Sequence, residues 1–104
     1  MNGNELISFQ IISAVGTARS MYVEAIQEAK KGNIQAAKQL IEDGVKVFVD
    51  GHHAHASLIQ KEAAGEKSEF SLLLMHAEDQ LMTTETIKIV AEEFIELYSD
   101  KYHQ

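Results

Sequence analysis

Three polar side chains between residues 76 and 80 have the types and the spacing of a small chemical site. His76 precedes Asp79 by three residues and Gln80 by four, and residues at these separations are neighbours on a helix surface. A neutral imidazole is nucleophilic near pH 7, so a histidine can take up a group covalently and pass it on. An amide one turn away can hold a ring nitrogen or an attached oxygen. The spacing alone is also compatible with an ordinary surface or interface histidine.

A second group of polar side chains is the histidine cluster of His52, His53 and His55. His52 and His55 are three residues apart, a separation that lets two imidazoles of one helix bind the same metal ion. Glu62 and Glu66 are the nearest acidic residues downstream, but no third ligand stands at a recognisable spacing. Two interpretations stay open: a zinc site, or histidines that line a polar pocket between helices.

The elements that must position these residues are helices, because two turn signals interrupt an otherwise helical apolar pattern. Gly32 tolerates the left-handed conformation that ends a helix, and Asn33 is a candidate N-cap for the next one. The second break spans residues 64–68, where Ser68 is the candidate cap of the last helix. The predicted helical segments are Asn4–Lys30, Asn33–Ala63 and Ser68–Lys101.

Apolar residues at helical spacing predict the face that each segment buries. In the first segment the predicted core positions are Ile7, Ile11, Ala14, Ala18, Met21 and Ala25. In the second they are Ile34, Ala37, Ile41, Val45, Phe48, His52, His55 and Ile59. In the third they are Phe70, Leu73, Ala77, Thr84, Ile87, Ala91, Phe94 and Tyr98. Short connections make such helices antiparallel neighbours, so we predict an all-α, up-down-up three-helix bundle that forms one domain over residues 1–104.

The third segment is apolar on a second side as well. This second row consists of Leu72, Met75, Met82, Ile89 and Val90. A helix that is apolar on two sides must bury both, and a single three-helix bundle covers only one, so we expect self-association. Asp79 lies on this row, where a carboxylate needs a partner, a cation or a rim position that is open to water.

The composition excludes several classes of function. Sixteen acidic against nine basic residues give a formal net charge of -7, which disfavours nucleic-acid binding. The chain has no cysteine, which excludes a disulfide framework, a thiolate zinc site and a cysteine nucleophile. No apolar run approaches the ~20 residues of a membrane span, and no secretory signal is visible. We therefore expect a cytoplasmic protein without direct membrane insertion.

The stretch from Ser71 to Thr84 closely resembles the motif of one protein family. This is the lactose/cellobiose-type (also chitobiose-type) IIA component of the bacterial phosphoenolpyruvate-dependent sugar phosphotransferase system. Gly16–Ser20 matches the family's Gly-x-Ala-Arg-Ser, Lys31–Asn33 falls at the first turn, and Leu58–Ala63 leads to the second. The resemblance extends over nearly the whole chain.

The resemblance implies a phosphocarrier that is a homotrimer of three-helix bundles, nine helices in all. The family's phosphorylated histidine corresponds to His76, which would accept phosphate from the histidine phosphocarrier protein and give it to a cysteine of the IIB component. The family's aspartate corresponds to Asp79, which three subunits place around a divalent cation, expected to be Mg²⁺, on the trimer axis. The sugars expected for such a system are β-linked disaccharides such as cellobiose or lactose.

At Gln80 the sequence departs from the family, which usually has a histidine at this position. An amide can donate to a phosphoryl oxygen but adds no positive charge, so Gln80 is the expected phosphoryl-stabilising residue without the charge of an imidazole. One of the histidines between residues 52 and 55 could compensate. Arg19 matches the family motif, and an ion pair inside the bundle is an open interpretation of its role.

Two alternatives to a phosphocarrier remain at this stage. The first is a regulatory paralogue that keeps the bundle and binds partners according to its phosphorylation state. The second is a metal-binding helical bundle that uses His52, His55 and Asp79.

Overall fold

Three long helices make up the computed structural model of the chain, which describes residues 3–67 and 69–103. The helices are α1 (Gly3–Lys30), α2 (Ile34–Ala63) and α3 (Leu72–Lys101). No strand occurs within the described ranges. The predicted all-α three-helix bundle is therefore confirmed, with helix boundaries close to the predicted ones. In that same part of the chain, no helix has the length and apolarity that a membrane span requires.

The turn between α1 and α2 is closed by a residue from the other end of the chain. Gly32 has φ +86°, the left-handed conformation expected of a glycine that ends a helix. The ring of Tyr102 lies against it, 3.3 Å from the position that a Cβ atom would occupy. The Tyr102 hydroxyl donates a 3.0 Å hydrogen bond to the carbonyl of Lys30. Asn33 stands at the N-cap position, but its amide donates to Glu28 and its oxygen does not cap the helix.

The start of α3 differs from the prediction. Ser71, in an extended conformation, accepts a 3.0 Å hydrogen bond from the amide of Leu74 and so caps the helix. The predicted cap, Ser68, lies outside the described residues. Because α3 begins only at Leu72, Phe70 is not on a helical face and is 86% exposed, and its predicted place in the core is wrong.

Two glycines allow α1 and α2 to approach closely. A Cβ atom on Gly44 would lie 2.5 Å from the ring of Tyr22, and one on Gly51 would lie 2.9 Å from Val15. Tyr22 and Val15 are both fully buried. The buried face of α2 therefore follows these glycines, and its members are Ile34, Ala37, Ile41, Gly44, Gly51 and Leu58.

The buried face of α2 differs from the predicted one from residue 44 onwards. The predicted core positions Val45, His52 and Ile59 are exposed, and the residue directly before each of them is buried instead. These buried residues are Gly44, Gly51 and Leu58. The shift by one residue has a simple cause: Gly44 and Gly51 do not count as apolar in a periodicity analysis, whereas in the structure they are the closest contacts.

Two buried clusters fix α3 against the other helices. Near the start of α3, Ala77 and Leu81 pack with Ile11 and Val15 of α1. Towards its end, Ala91 and Ile95 belong to the cluster that surrounds Tyr22. α1 and α3 therefore run in the same direction, as an up-down-up bundle requires. The buried residues of α3 are Leu74, Ala77, Leu81, Thr84, Ala91, Ile95 and Ser99, and Phe94, which we predicted in the core, is exposed.

The second apolar side of α3 is uncovered in the single chain. We call Leu72, Met75, Asp79, Met82 and Ile89 the outer row of α3. Its four apolar members are between 57% and 83% exposed, and Asp79 is exposed among them. The prediction that one bundle cannot bury both sides of this helix is confirmed.

The glycine contact predicts that Gly44→Ala destabilises the fold. The added methyl group would meet the buried ring of Tyr22, and overpacking of this kind costs about 1–3 kcal/mol. Gly16→Ala is the matched control, because Gly16 lies in the middle of α1 with nothing within 4 Å of its Cβ position. There, alanine is expected to raise the free energy of unfolding by about 0.5–1 kcal/mol. Chemical denaturation at one protein concentration measures both, and equal effects would contradict the packing argument.

The same tyrosine predicts a loss of stability at high pH. Burial, together with the nearby carboxylate of Glu92, raises the pKa of Tyr22 to about 12. Below pH 10 the Tyr22 phenol is neutral in both the folded and the unfolded chain. Between about pH 10 and 12 it ionises in the unfolded chain but keeps its proton in the folded one, so the free energy of unfolding falls with pH. Tyr22→Phe should show a shallower decline over this range, and an identical decline in the two proteins would contradict the assignment.

Candidate functional site

The segment that carries the predicted site is one uninterrupted stretch of α3. Ala77 and Leu81 hold it against α1, so the residues between and beside them point outwards. His76 and Asp79 are exposed, and Gln80 is half-buried. The structure therefore places the three predicted site residues together on one outward surface.

The imidazole of His76 is accessible. No hydrogen bond or ion pair of its side chain occurs among the described residues, so either ring nitrogen can meet an incoming group. Gln80 lies one turn further along α3. The nearby Thr83 hydroxyl donates to the backbone carbonyls of Asp79 and Gln80, at 2.9 and 3.2 Å. The side chains of Asp79 and Gln80 make no hydrogen bond or ion pair within residues 3–67 and 69–103. The arrangement presents a nucleophile with an amide donor beside it.

Asp79 meets one requirement of a divalent cation site but not all of them in a single chain. A carboxylate is the ligand type that Mg²⁺ prefers, and this one is exposed on the outer row with no ion pair in the described ranges. However, residues 3–67 and 69–103 contain no group of three histidine or acidic side chains that could hold a metal. A cation on Asp79 would therefore need carboxylates from further copies of the chain, and the donor type and the exposure fit that arrangement.

The histidine cluster of α2 is divided between two sides of the helix. The Nδ1 atom of His55 lies 2.5 Å from Oε2 of Glu78 on α3, a contact between two largely buried side chains. The two atoms are close but not aligned as a hydrogen bond, and Nδ1 has no aligned partner within the described residues. Glu78 was not singled out by the sequence analysis, because no local pattern connects residues on two different helices.

His52 and His53 diverge from each other. His52 is exposed, whereas His53 lies in a groove of about 810 Å³ between α1 and α2. This groove is lined by Leu6, Phe9, Gln10, Ser13, Ala14, Thr17, Val47, Asp50, His53, Ala54 and Ser57. The prediction that His52 and His55 share a seam is wrong, and the metal site of His52, His55 and Asp79 does not form within one chain.

Arg19 and the acidic end of α3 are two further exposed charged regions. Arg19 is exposed and makes no ion pair with any described residue, so the buried ion pair considered from the sequence is not formed. Glu92, Glu93, Glu96 and Asp100 are exposed along the last turns of α3. Glu92 contacts Lys88 at 3.3 Å, as i,i+4 neighbours on a helix surface do.

A comparison with known proteins agrees with this geometry. Residues 6–99 match the family model described as "PTS system, Lactose/Cellobiose specific IIA subunit". The lichenan-specific phosphotransferase enzyme IIA component of Bacillus subtilis (strain 168) is 46% identical over 94 residues, which are 90% of this chain and 86% of that protein. The lactose-specific EIIA component of Staphylococcus aureus (strain N315) is 37% identical over 90% of this chain and 91% of its own length.

The fold comparison leads to the same family. The crystal structure of the PTS cellobiose-specific enzyme IIA from Bacillus anthracis superposes with a TM-score of 0.95 and 42% sequence identity, covering 100% of this chain and 95% of that one. Sequence and fold therefore agree over almost the whole length. The chain belongs to the lactose/cellobiose-specific IIA subunits of the sugar phosphotransferase system.

Proposed function

We propose that His76 is the phosphoryl acceptor of this chain. It takes the group from the histidine phosphocarrier protein and passes it to a cysteine of the IIB component during uptake of a β-linked sugar. The observation that carries the proposal is the exposed imidazole of His76 on an uninterrupted helix, where it makes no hydrogen bond or ion pair with any described residue. The resemblance of the surrounding motif to that of the family supports the same residue. A phosphocarrier needs this accessibility, because two different proteins must reach the same nitrogen in turn.

The proposed transfer consists of two displacements at phosphorus. In the first, an unprotonated ring nitrogen of His76 attacks, its N–P bond forms as the donor's N–P bond breaks, and the electron pair returns to the donor imidazole. In the second, the cysteine thiolate attacks, an S–P bond forms, and His76 regains its lone pair. Charge spreads over three phosphoryl oxygens in each step, so nearby donors such as the Gln80 amide stabilise it.

Relatives that share this fold support a sugar class but not one sugar. The similar proteins are named for lichenan, oligo-β-mannoside, lactose and cellobiose. Because similar chains accompany four different sugars, we propose that the sugar is a β-linked oligosaccharide such as cellobiose or lactose and that it contacts other components of the system.

We further propose that the working form is a homotrimer with the outer rows of α3 around a three-fold axis. The uncovered apolar side chains of this row support self-association. Asp79 of each copy would hold a shared divalent cation, which we propose to be Mg²⁺. A bound cation supplies positive charge where three carboxylates would otherwise repel each other in a partly dry interface.

The first experiment tests His76. With phosphoenolpyruvate and the two upstream proteins as donor system, the parent chain should become labelled with a phosphoimidazole that is lost in mild acid and survives base. His76→Ala should incorporate no label, with unchanged helix content by circular dichroism, because an exposed helical histidine contributes little packing.

Two further variants serve as controls for this assignment. His53→Ala should be labelled like the parent, since His53 lies in the groove between α1 and α2. Gln80→His should retain transfer and speed it, because a protonated imidazole adds a cationic donor near the phosphoryl oxygens. Label on the His76→Ala protein, or label mapped to residues 52–55, would show that another residue is the acceptor.

The second experiment tests Asp79. The parent should behave as a trimer in light scattering at micromolar concentration and should retain a divalent ion after purification. Asp79→Leu should lose the ion and keep the trimer with equal or greater stability, since apolar residues can replace a buried set of charges without loss. A monomeric parent would contradict the trimer, and an unchanged metal content in Asp79→Leu would contradict the cation site.

A further inference from the structure

Helical geometry determines the side of α3 on which His76 lies. Asp79 is two residues from both Ala77 and Leu81, which are buried, so its side chain points roughly 200° away from them and straight out of the bundle. His76 is turned roughly 60° from Asp79 in one sense, and Glu78 roughly 100° in the other. Glu78 contacts His55 and so marks the α2 side. His76 therefore lies on the α1 side of the outward direction.

α2 presents an uncharged, exposed row on its own α3 side. We call Val45, Val49, His52 and Ile59 the α2 row; all four residues are exposed. His52 and His55 are three residues apart, and Ile59 and His55 line one pocket with Met75 of α3, which places the row towards α3. His53 points to the opposite groove.

A ring of copies around an axis at Asp79 brings these two sides together. In a closed ring of three the contact is heterologous, so the α1 side of one copy must face the α2 side of the next. The seven apolar side chains of the outer row and the α2 row are between 37% and 83% exposed. Apolar surface grouped in this way marks a site of association. We therefore take a second copy of this chain as the occupant of the α2 row.

Two polar side chains of this face already have hydrogen-bond partners. The hydroxyls of Thr83 and Thr86 donate to carbonyls of their own helix, at 2.9 and 3.4 Å, to Asp79 and Met82 respectively. Hydroxyls that are bonded in this way need no water, so a second chain can approach at little cost in lost hydrogen bonds.

The positions of His52 and His76 along the proposed axis are also compatible with a contact between neighbouring copies. His55 lies level with Glu78, and α2 runs opposite to α3, so His52 is level with residue 81 of α3. A rotation about an axis parallel to α3 keeps these heights. His52 of the next copy is therefore offset from His76 by roughly 7 Å along the axis, a distance that its side chain and a phosphoryl group on His76 span together.

From these positions we infer that His52 acts on the neighbouring copy: its imidazole N–H donates a hydrogen bond to an oxygen of the phosphoryl group carried by His76 of the adjacent subunit. The inference rests on the proposed phosphocarrier function and on the proposed trimer. It assigns a role to an exposed histidine that makes no hydrogen bond or ion pair with the described residues of its own chain. It also supplies, from a second chain, the imidazole that Gln80 does not provide.

The experiment compares two adjacent histidines. His52→Ala should slow the labelling of His76 by about tenfold or more, the loss expected for one hydrogen bond to a charged group. His53→Ala should leave the rate unchanged. His52→Gln, which keeps an N–H donor, should recover part of the rate. Light scattering should give the same mass for all of these proteins, so that a slower rate cannot be attributed to dissociation.

Mixed trimers test whether the histidine acts between chains. His76→Ala subunits carry no acceptor but present an intact His52 to their neighbour. When they are unfolded and refolded together with His52→Ala subunits, about half of the latter gain a neighbour with His52 in a random 1:1 mixture, and their labelling rate should rise accordingly. Separately refolded proteins that are mixed afterwards provide the control.

The outcomes separate this inference from the function on which it rests. Labelled His76→Ala protein would overturn the proposed function itself. If His76→Ala stays unlabelled while His52→Ala transfers as fast as His53→Ala, or if mixed trimers show no gain, the role of His52 is wrong and the phosphocarrier function stands. A slow His52→Ala protein that is also monomeric would likewise overturn the role in transfer, because a structural defect then explains the rate.

Discussion

Tyr22 and Val15 of α1 lie against Gly44 and Gly51 of α2, at a distance that leaves no room for a side chain on either glycine. This contact sets the rotation of α2 about its own axis. Once both glycines face α1, His55 is turned to Glu78 of α3, and the α2 row is turned to the outside. The surface available for association thus depends on a packing contact on the other side of the helix.

Within residues 76–81 of α3, side chains point in three different directions. Ala77 and Leu81 anchor it in the core, Asp79 points directly outwards, and His76 is offset to the α1 side. Because successive residues of a helix are about 100° apart, five residues suffice to face the core, the proposed three-fold axis and the side on which partner proteins are proposed to meet His76. An insertion of one residue in this segment would rotate the side chains after it by about 100° relative to those before it. The relative directions of these side chains are therefore kept only in a continuous stretch of sequence.

The sequence predicted the number and type of the helices and most of their limits, because long apolar periodicity is a strong signal. The start of α3 was placed too early, at Ser68 instead of Leu72. It also predicted that α3 has two apolar sides and that residues 76, 79 and 80 share a surface. It failed for the rotation of α2, where Val45 and Ile59 were placed in the core, because a glycine contact has no apolar signal. The contact of His55 with Glu78 was equally out of reach, since it joins residues of two helices whose relative height no local pattern determines.

The contact of Tyr102 with the α1–α2 turn has a consequence for fusion proteins. It holds the end of α3 at the pole of the bundle opposite to His76, about 25 residues or roughly 37 Å along the helix. The start of α1 lies at the other pole, near His76, the proposed phosphoryl acceptor, because Ile11 packs beside Ala77. A reporter domain joined after Tyr102 would leave the surface around His76 open, whereas one joined before α1 would crowd it. A junction that deletes Tyr102 would also strip the cover from Gly32 and leave the Lys30 carbonyl to water.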